Sequence, residues 1–178
     1  DDARVQRAFQ YLVARSSPPS GLTCPYVDGE VCQWGITKAL GAFAALPRDQ
    51  RTPEQAEAIA LLADAVLDFP FDFEERHADW LAFGFPLDYQ SDLTELCNIL
   101  ARLDYGPDPR FERLLAVMMA AQSEHGRWIK RFGTRALQVE DRGKPSKWIT
   151  FRALQALKHT HRAILEATRA ELESTTTA

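Results

Sequence analysis

An all-α fold built from repeated helix pairs is predicted for this 178-residue chain by three observations. A passage occurs twice: Asp2-Ala3-Arg4-Val5-Gln6-Arg7, running toward a break at Gly21, returns as Asp108-Pro109-Arg110-Phe111-Glu112-Arg113, running toward Gly126. Each copy is followed by a tryptophan-headed segment, Trp34-Gly35-Ile36-Thr37-Lys38-Ala39-Leu40 and Trp148-Ile149-Thr150-Phe151-Arg152-Ala153-Leu154. Self-similarity of this kind marks stacked helical units. Apolar residues also recur at intervals of three and four, the helical period, and strand signals are almost absent.

The elements follow in order. Val5, Ala8, Phe9, Leu12 and Val13 form one apolar stripe, and the run Ser16-Ser17-Pro18-Pro19-Ser20-Gly21 ends that helix because consecutive prolines remove donors and restrict their predecessors. A loop with Cys24, Tyr26 and Gly29 leads to a helix over about residues 31–46, apolar around most of its circumference and therefore expected to be buried on several sides. Pro47 stops it. Thr52 as cap, Pro53 in the first turn and Glu54 near the positive dipole end start the next, which runs to about Asp68.

Residues 71–90 hold Phe71, Phe73, Trp80, Phe83, Phe85 and Tyr89, too much aromatic surface for a simple solvent loop. Ser91 is the expected cap of a helix to about Leu103, which ends before Tyr105-Gly106-Pro107. Asp108-Pro109 starts a fifth helix, to about Gln122. A polar stretch, residues 123–147, contains one short extended piece at Leu137-Gln138-Val139, and Ser146 caps a last helix to about Glu173. The chain is thus expected to be one helical-repeat domain, residues 1–178, with repeats of about 1–47, 52–104 and 107–173.

Composition is ordinary for a globular domain, 46% hydrophobic and 26% charged, and long enough for a substantial core. A net charge of −4 offers no general attraction to nucleic acid, and none is expected as a partner. The longest apolar run, residues 114–121, falls short of the roughly 20 residues a membrane span needs. No secretory signal is visible, and three cysteines are too few for a disulfide scaffold, so a cytoplasmic location is the simplest expectation.

Paired helices, a glycine near the break and an aromatic-headed inner helix together resemble the prenyltransferase and squalene-oxidase repeat superfamily, in particular a bacterial and archaeal branch of unassigned activity. The strings that carry the resemblance are Trp80-Leu81-Ala82-Phe83-Gly84-Phe85-Pro86-Leu87-Asp88-Tyr89-Gln90-Ser91-Asp92-Leu93, Ser146-Lys147-Trp148-Ile149-Thr150-Phe151-Arg152-Ala153-Leu154 and Cys32-Gln33-Trp34-Gly35-Ile36-Thr37-Lys38-Ala39-Leu40. The resemblance implies an α/α toroid of which three helix pairs supply about half, a partial (α/α)6 barrel. A half-ring leaves open ends, so a longer parent chain, a short superhelix or a homodimer that closes the surface is expected, with the long last helix available as a cap.

The resemblance also implies an aromatic-lined cavity for an apolar or isoprenoid-like small molecule. Tyr26, Trp34, Trp80, Phe83, Phe85, Tyr89 and Trp148 are the residues that either line it or serve as core. The Asp-x-Asp-Asp acid motif of the cyclases is absent; Asp92 and Glu95 stand as the alternative acids on one helix face, or simply as helix-capping carboxylates. Lys38 and Arg152 occupy matching places in the two copies, where they either hold a diphosphate or carboxylate or neutralise a neighbouring acid. Cys24, Cys32 and His77 lack the spacing of a zinc site, and a Cys24–Cys32 disulfide competes with one; no metal or cofactor is assigned. Cys97 reads as a small buried apolar residue, and the basic run from Arg127 to Lys147 as a solvated surface or an anion site. Whether the protein is an enzyme stays open between a cyclase-like or prenyltransferase-like reading and a non-catalytic protein or lipid interaction domain.

Overall fold

The computed structural model describes residues 2–16, 23, 24, 29, 31–134 and 139–176. Among them are six α-helices: α1 (Ala3–Ser16), α2 (Gln33–Ala44), α3 (Pro53–Leu67), α4 (Leu93–Arg102), α5 (Pro109–Ala120) and α6 (Lys147–Thr176). No strand occurs among the described residues, where pairing is limited to isolated bridges such as Gly84 with Phe132 and Ile129 with Pro145. The protein is all-α, with each helix where the apolar period puts one. Its contacts gather into two compact units, Asp1–Phe69 and Pro70–Ala178.

In the first unit α3 packs against both α1 and α2. Cys32 caps α2, its sulfur accepting the Gly35 N–H at 3.4 Å, and no residue of α2 is exposed, as its all-round apolar pattern requires. Thr52 and Gln55 form a reciprocal capping box at the start of α3: the Gln55 N–H donates to Thr52 Oγ1 at 3.3 Å and the Thr52 N–H to Gln55 Oε1 at 3.0 Å. Ile36, Leu40, Phe43, Ile59, Leu62, Val66 and Leu67 are buried, each contributing about 1.5–3 kcal/mol by leaving water.

The second unit is organised around α4, which packs on α6 and on α5 and has no exposed residue from Ser91 to Leu103. Its cap is Asp92, not Ser91: the Glu95 N–H donates to Asp92 Oδ1 at 2.9 Å, while the Ser91 hydroxyl is buried without a hydrogen-bond partner among the described residues. The helix ends in a left-handed residue, Asp104 at φ +70°, with the Tyr105 N–H on the Leu100 carbonyl at 3.1 Å and the Asp104 N–H on that of Ala101 at 3.3 Å. On α6 the buried residues Ile149, Ala153, Ala156, Thr160 and Ala163 alternate steps of four and three, and their small size lets the helix lie close to its neighbour.

Two parts of the segment preceding α6 depart from the sequence reading. Trp128 is fully buried with its indole N–H on the Met118 carbonyl at 2.9 Å, so the polar stretch contains a core anchor. Lys130 is also buried, donating to the Glu140 carbonyl at 2.6 Å, and the Glu140 carboxylate accepts the Ser146 hydroxyl and the Lys147 N–H. The basic run is therefore only partly a solvated surface. Ser146 caps α6 as expected, accepting the Ile149 N–H at 3.1 Å. Leu137 and Gln138 lie outside the described residues, and Val139 is in no strand.

Candidate functional site

The aromatic loop between α3 and α4 is fixed by backbone pairing with residues 131–134. The Arg131 N–H reaches the Phe83 carbonyl at 2.7 Å, the Phe85 N–H the Phe132 carbonyl at 3.2 Å, and the Thr134 N–H that of Pro86 at 3.2 Å. Two glycines permit this approach. A Cβ at Gly84 would stand 2.5 Å from the Phe132 ring, and one at Gly133 2.3 Å from the Phe85 carbonyl oxygen.

Asp92 closes the arrangement. Its side chain is fully buried, Oδ2 accepting the Gly84 N–H at 2.8 Å and Oδ1 accepting the Thr94 hydroxyl at 2.6 Å as well as the Glu95 N–H. Arg152, reaching in from α6, donates to both carboxylate oxygens at 3.3 Å, to Thr94 Oγ1 at 3.2 Å and to the Gly84 carbonyl at 3.3 Å. One carboxylate thus joins the aromatic loop, the start of α4 and the second turn of α6. Of the two roles open to Arg152, neutralising an acid is the one seen.

This geometry changes the place of the two carboxylates singled out as acids. Asp92 precedes the first turn of α4 as its cap, accepting the N–H of Glu95 three residues on, and both its oxygens are occupied by donors. Glu95 is half-buried, and neither cleft described below is lined by it or by Asp92. Burial, reinforced by the Asp92 charge, pushes the Cys97 thiol up, which fits a buried apolar role.

The aromatic residues are dispersed rather than gathered. Trp80 and Phe83 are buried core residues. Phe85 stacks on Trp148 with ring centres 5.2 Å apart, Lys147 Nζ lies 5.5 Å from the Trp148 ring centre, and Trp148 itself is 42% exposed. Tyr89 is 73% exposed. Trp34 and Lys38 are half-buried on α2 in the first unit, and Tyr26 lies outside the described residues. The matched tryptophans of the two copies therefore do not occupy matched environments.

The second unit contains at least two clefts. One, of about 550 Å³, is lined by Phe71, Asp72, Phe73, Glu74, Leu81 and Val117, among others. Phe71 stacks on Phe73 at 5.1 Å and meets Trp80 edge-on at 5.0 Å, so core packing holds the ring pair from behind. The other, of about 460 Å³, lies between α5 and α6, with Leu115 and Ile164 among its apolar walls and Asp108, Glu112 and Glu171 among its acids. Sequence reading placed Phe71 and Phe73 in an aromatic cluster without giving them a site. Their nearness in sequence, two residues apart, is the signal that could have paired the rings.

Among the described residues no group of three or more His, Cys, Asp or Glu side chains could hold a metal ion. Cys24 and Cys32 are free, half-buried thiols, so the disulfide alternative is not realised here. No helix among the described residues is long and apolar enough to cross a membrane. No family model, no curated protein and no solved structure matches the chain.

Proposed function

We propose that this protein is a helical-repeat binding domain that holds an apolar, isoprenoid-like ligand in the cleft beside Phe71 and Phe73. The observation that carries the reading is the cleft itself: about 550 Å³, in the size range of small-molecule sites, with two stacked rings on one side and Leu81, Val117 and Ala121 on another. The commitment of Asp92 to five donor contacts favours binding over cyclase chemistry, because a general acid must be free to give a proton to substrate.

Kinship with the prenyltransferase and squalene-oxidase repeat superfamily, and the half-toroid completed by a second copy, belong to the same proposal. What supports them is the succession of six helices and the recurrence of the Asp-x-Arg start at α1 and α5. A second reading, a protein or lipid interaction surface, is favoured by the outward side of α6. There Phe151, Leu154, Leu165 and Leu172 are each more than half exposed.

Farnesol is a suitable probe. Titrated into the protein and followed by methyl NMR, it is expected to shift the Leu81 and Val117 resonances saturably, and Val117→Asp is expected to abolish the effect without unfolding the chain. Shifts confined to the exposed α6 residues, or none up to the solubility limit, would refute the cleft as the ligand site.

A further inference from the structure

We propose that the Phe71–Phe73 cleft selects an apolar ligand bearing a positive charge, an organic ammonium joined to a hydrocarbon body; this rests on the reading of the cleft as a ligand site. The lining contains two carboxylates, Asp72 and Glu74, and no cationic side chain. The surrounding segment, residues 71–79, carries Asp72, Glu74, Glu75 and Asp79 against Arg76 alone, four acids less one base or a formal −3. An anionic ligand such as a diphosphate would find no counter-charge there.

The two acids differ in what holds them. Asp72 Oδ1 accepts the Glu75 N–H at 3.1 Å, and Arg76 lies 3.5 Å from Oδ2 at 74% exposure, where solvent weakens the pair. The Glu75 hydrogen bond foremost keeps the Asp72 carboxyl below its ordinary range, so it is ionised at neutral pH. Glu74 is exposed at the rim, and its carboxylate has no partner among the described residues. His77 Nδ1 accepts the Asp72 N–H at 2.9 Å, which directs the imidazole proton of the neutral ring to Nε2.

The rings add the second half of the recognition. Phe71 and Phe73 stack within 5° of parallel and both border the cleft, so aromatic surface and the two carboxylates line the same space. Leu81, Val117, Ala120 and Ala121 give the hydrocarbon part its contacts. Ring faces, carboxylates and an aliphatic wall are together the chemistry that recognises an alkylated ammonium.

The test compares phenyltrimethylammonium with tert-butylbenzene, the same shape with carbon in place of the charged nitrogen, by NMR titration of the full chain. The cation is expected to bind at least about threefold more tightly at low salt, and the advantage is expected to shrink as salt rises and in Glu74→Gln. Phe73→Leu is expected to weaken the cation more than the neutral probe. Equal affinities, or a preference for the cation that Glu74→Gln and Phe73→Leu both leave intact, overturn the charge selection while the cleft stands as an apolar site. If neither probe shifts the Leu81 and Val117 methyls, the cleft reading itself falls.

Discussion

Replacing Asp92 by Ala removes four partners' contacts at once, the Thr94 hydroxyl's among them, and the costs of the three largest can be set against the structure. The cap on the Glu95 N–H is worth about 1 kcal/mol. The Gly84 N–H, bonded at 2.8 Å in a buried site, loses its acceptor at about 1–3 kcal/mol. Arg152, 13% exposed, is left as a buried charge without its carboxylate, and breaking such a pair costs about 3–5 kcal/mol. These overlap, since one carboxylate serves all three, so a loss of about 4–5 kcal/mol is expected for Asp92→Ala. Asp92→Asn offers one side-chain oxygen where Asp92 uses two, so it keeps either the α4 cap or the Gly84 bond, turns its NH2 toward the other N–H and loses the charge; a loss of about 3–4 kcal/mol is expected. The assay is urea denaturation of both variants by circular dichroism and tryptophan fluorescence, with Arg152→Met and the double variant closing a cycle. Coupling between positions 92 and 152 of at least about 1 kcal/mol is expected. Both variants within about 0.5 kcal/mol of the parent, or no coupling, would refute the role of Asp92 as the clasp between α4, α6 and the aromatic loop.

Gly133→Ala is expected to cost more than Gly84→Ala, because the new methyl meets a backbone oxygen at 2.3 Å in the first case and a side-chain ring at 2.5 Å in the second. Overpacking that a ring can relieve costs about 1–3 kcal/mol, whereas moving the backbone should exceed it; thermal melting that reverses the order would sink the loop pairing as described. Asp108→Asn keeps a capping side chain while removing the charge that Arg110, foremost among several partners, holds well below the ordinary carboxylate range. A lowered folded value means the stabilisation is present above the unfolded value, about 3.9, and is lost as pH falls through the lower folded one. The difference between parent and variant, under about 1 kcal/mol near the surface, is therefore expected in melts at pH 6 and should vanish at pH 2; a gap that widens on acidification would contradict the assignment.

The helices are legible because each is set by its own residues: apolar spacing, a Pro stop and caps such as Thr52, Asp108 and Ser146. The cap of α4 was not, since Ser91 and Asp92 are adjacent and equally suitable by type. What chooses between them is distant: the Gly84 N–H eight residues back and Arg152 sixty residues on. Trp128 escaped for a related reason. It lies in a polar run with no period, and its burial depends on the Met118 carbonyl at the end of α5. The cleft is half legible, its rings by their nearness in sequence and the rest of its lining, Val117 and Ala121, only by tertiary structure.

The duplicated passage separates the two kinds of information. At α1 the Arg4 N–H reaches Asp2 Oδ1 at 2.8 Å and the guanidinium grips the carboxylate through Nε and Nη2, at 3.1 and 2.6 Å for the nearer contacts. At α5 Arg110 does the same to Asp108 at 2.8, 3.1 and 2.7 Å, although that pair is much the less exposed of the two. A two-residue spacing alone sets this bidentate clasp, so it repeats wherever the sequence repeats. The tryptophans that follow repeat in sequence but not in setting, because what surrounds a ring is decided by other elements: Trp148 lies against Phe85 and is exposed, whereas Trp34 is half-buried on α2. Repetition in this chain accordingly specifies how helices begin. The site-bearing parts, the aromatic loop and its Asp92 clasp, belong to the stretch between the two copies, where the sequence does not repeat.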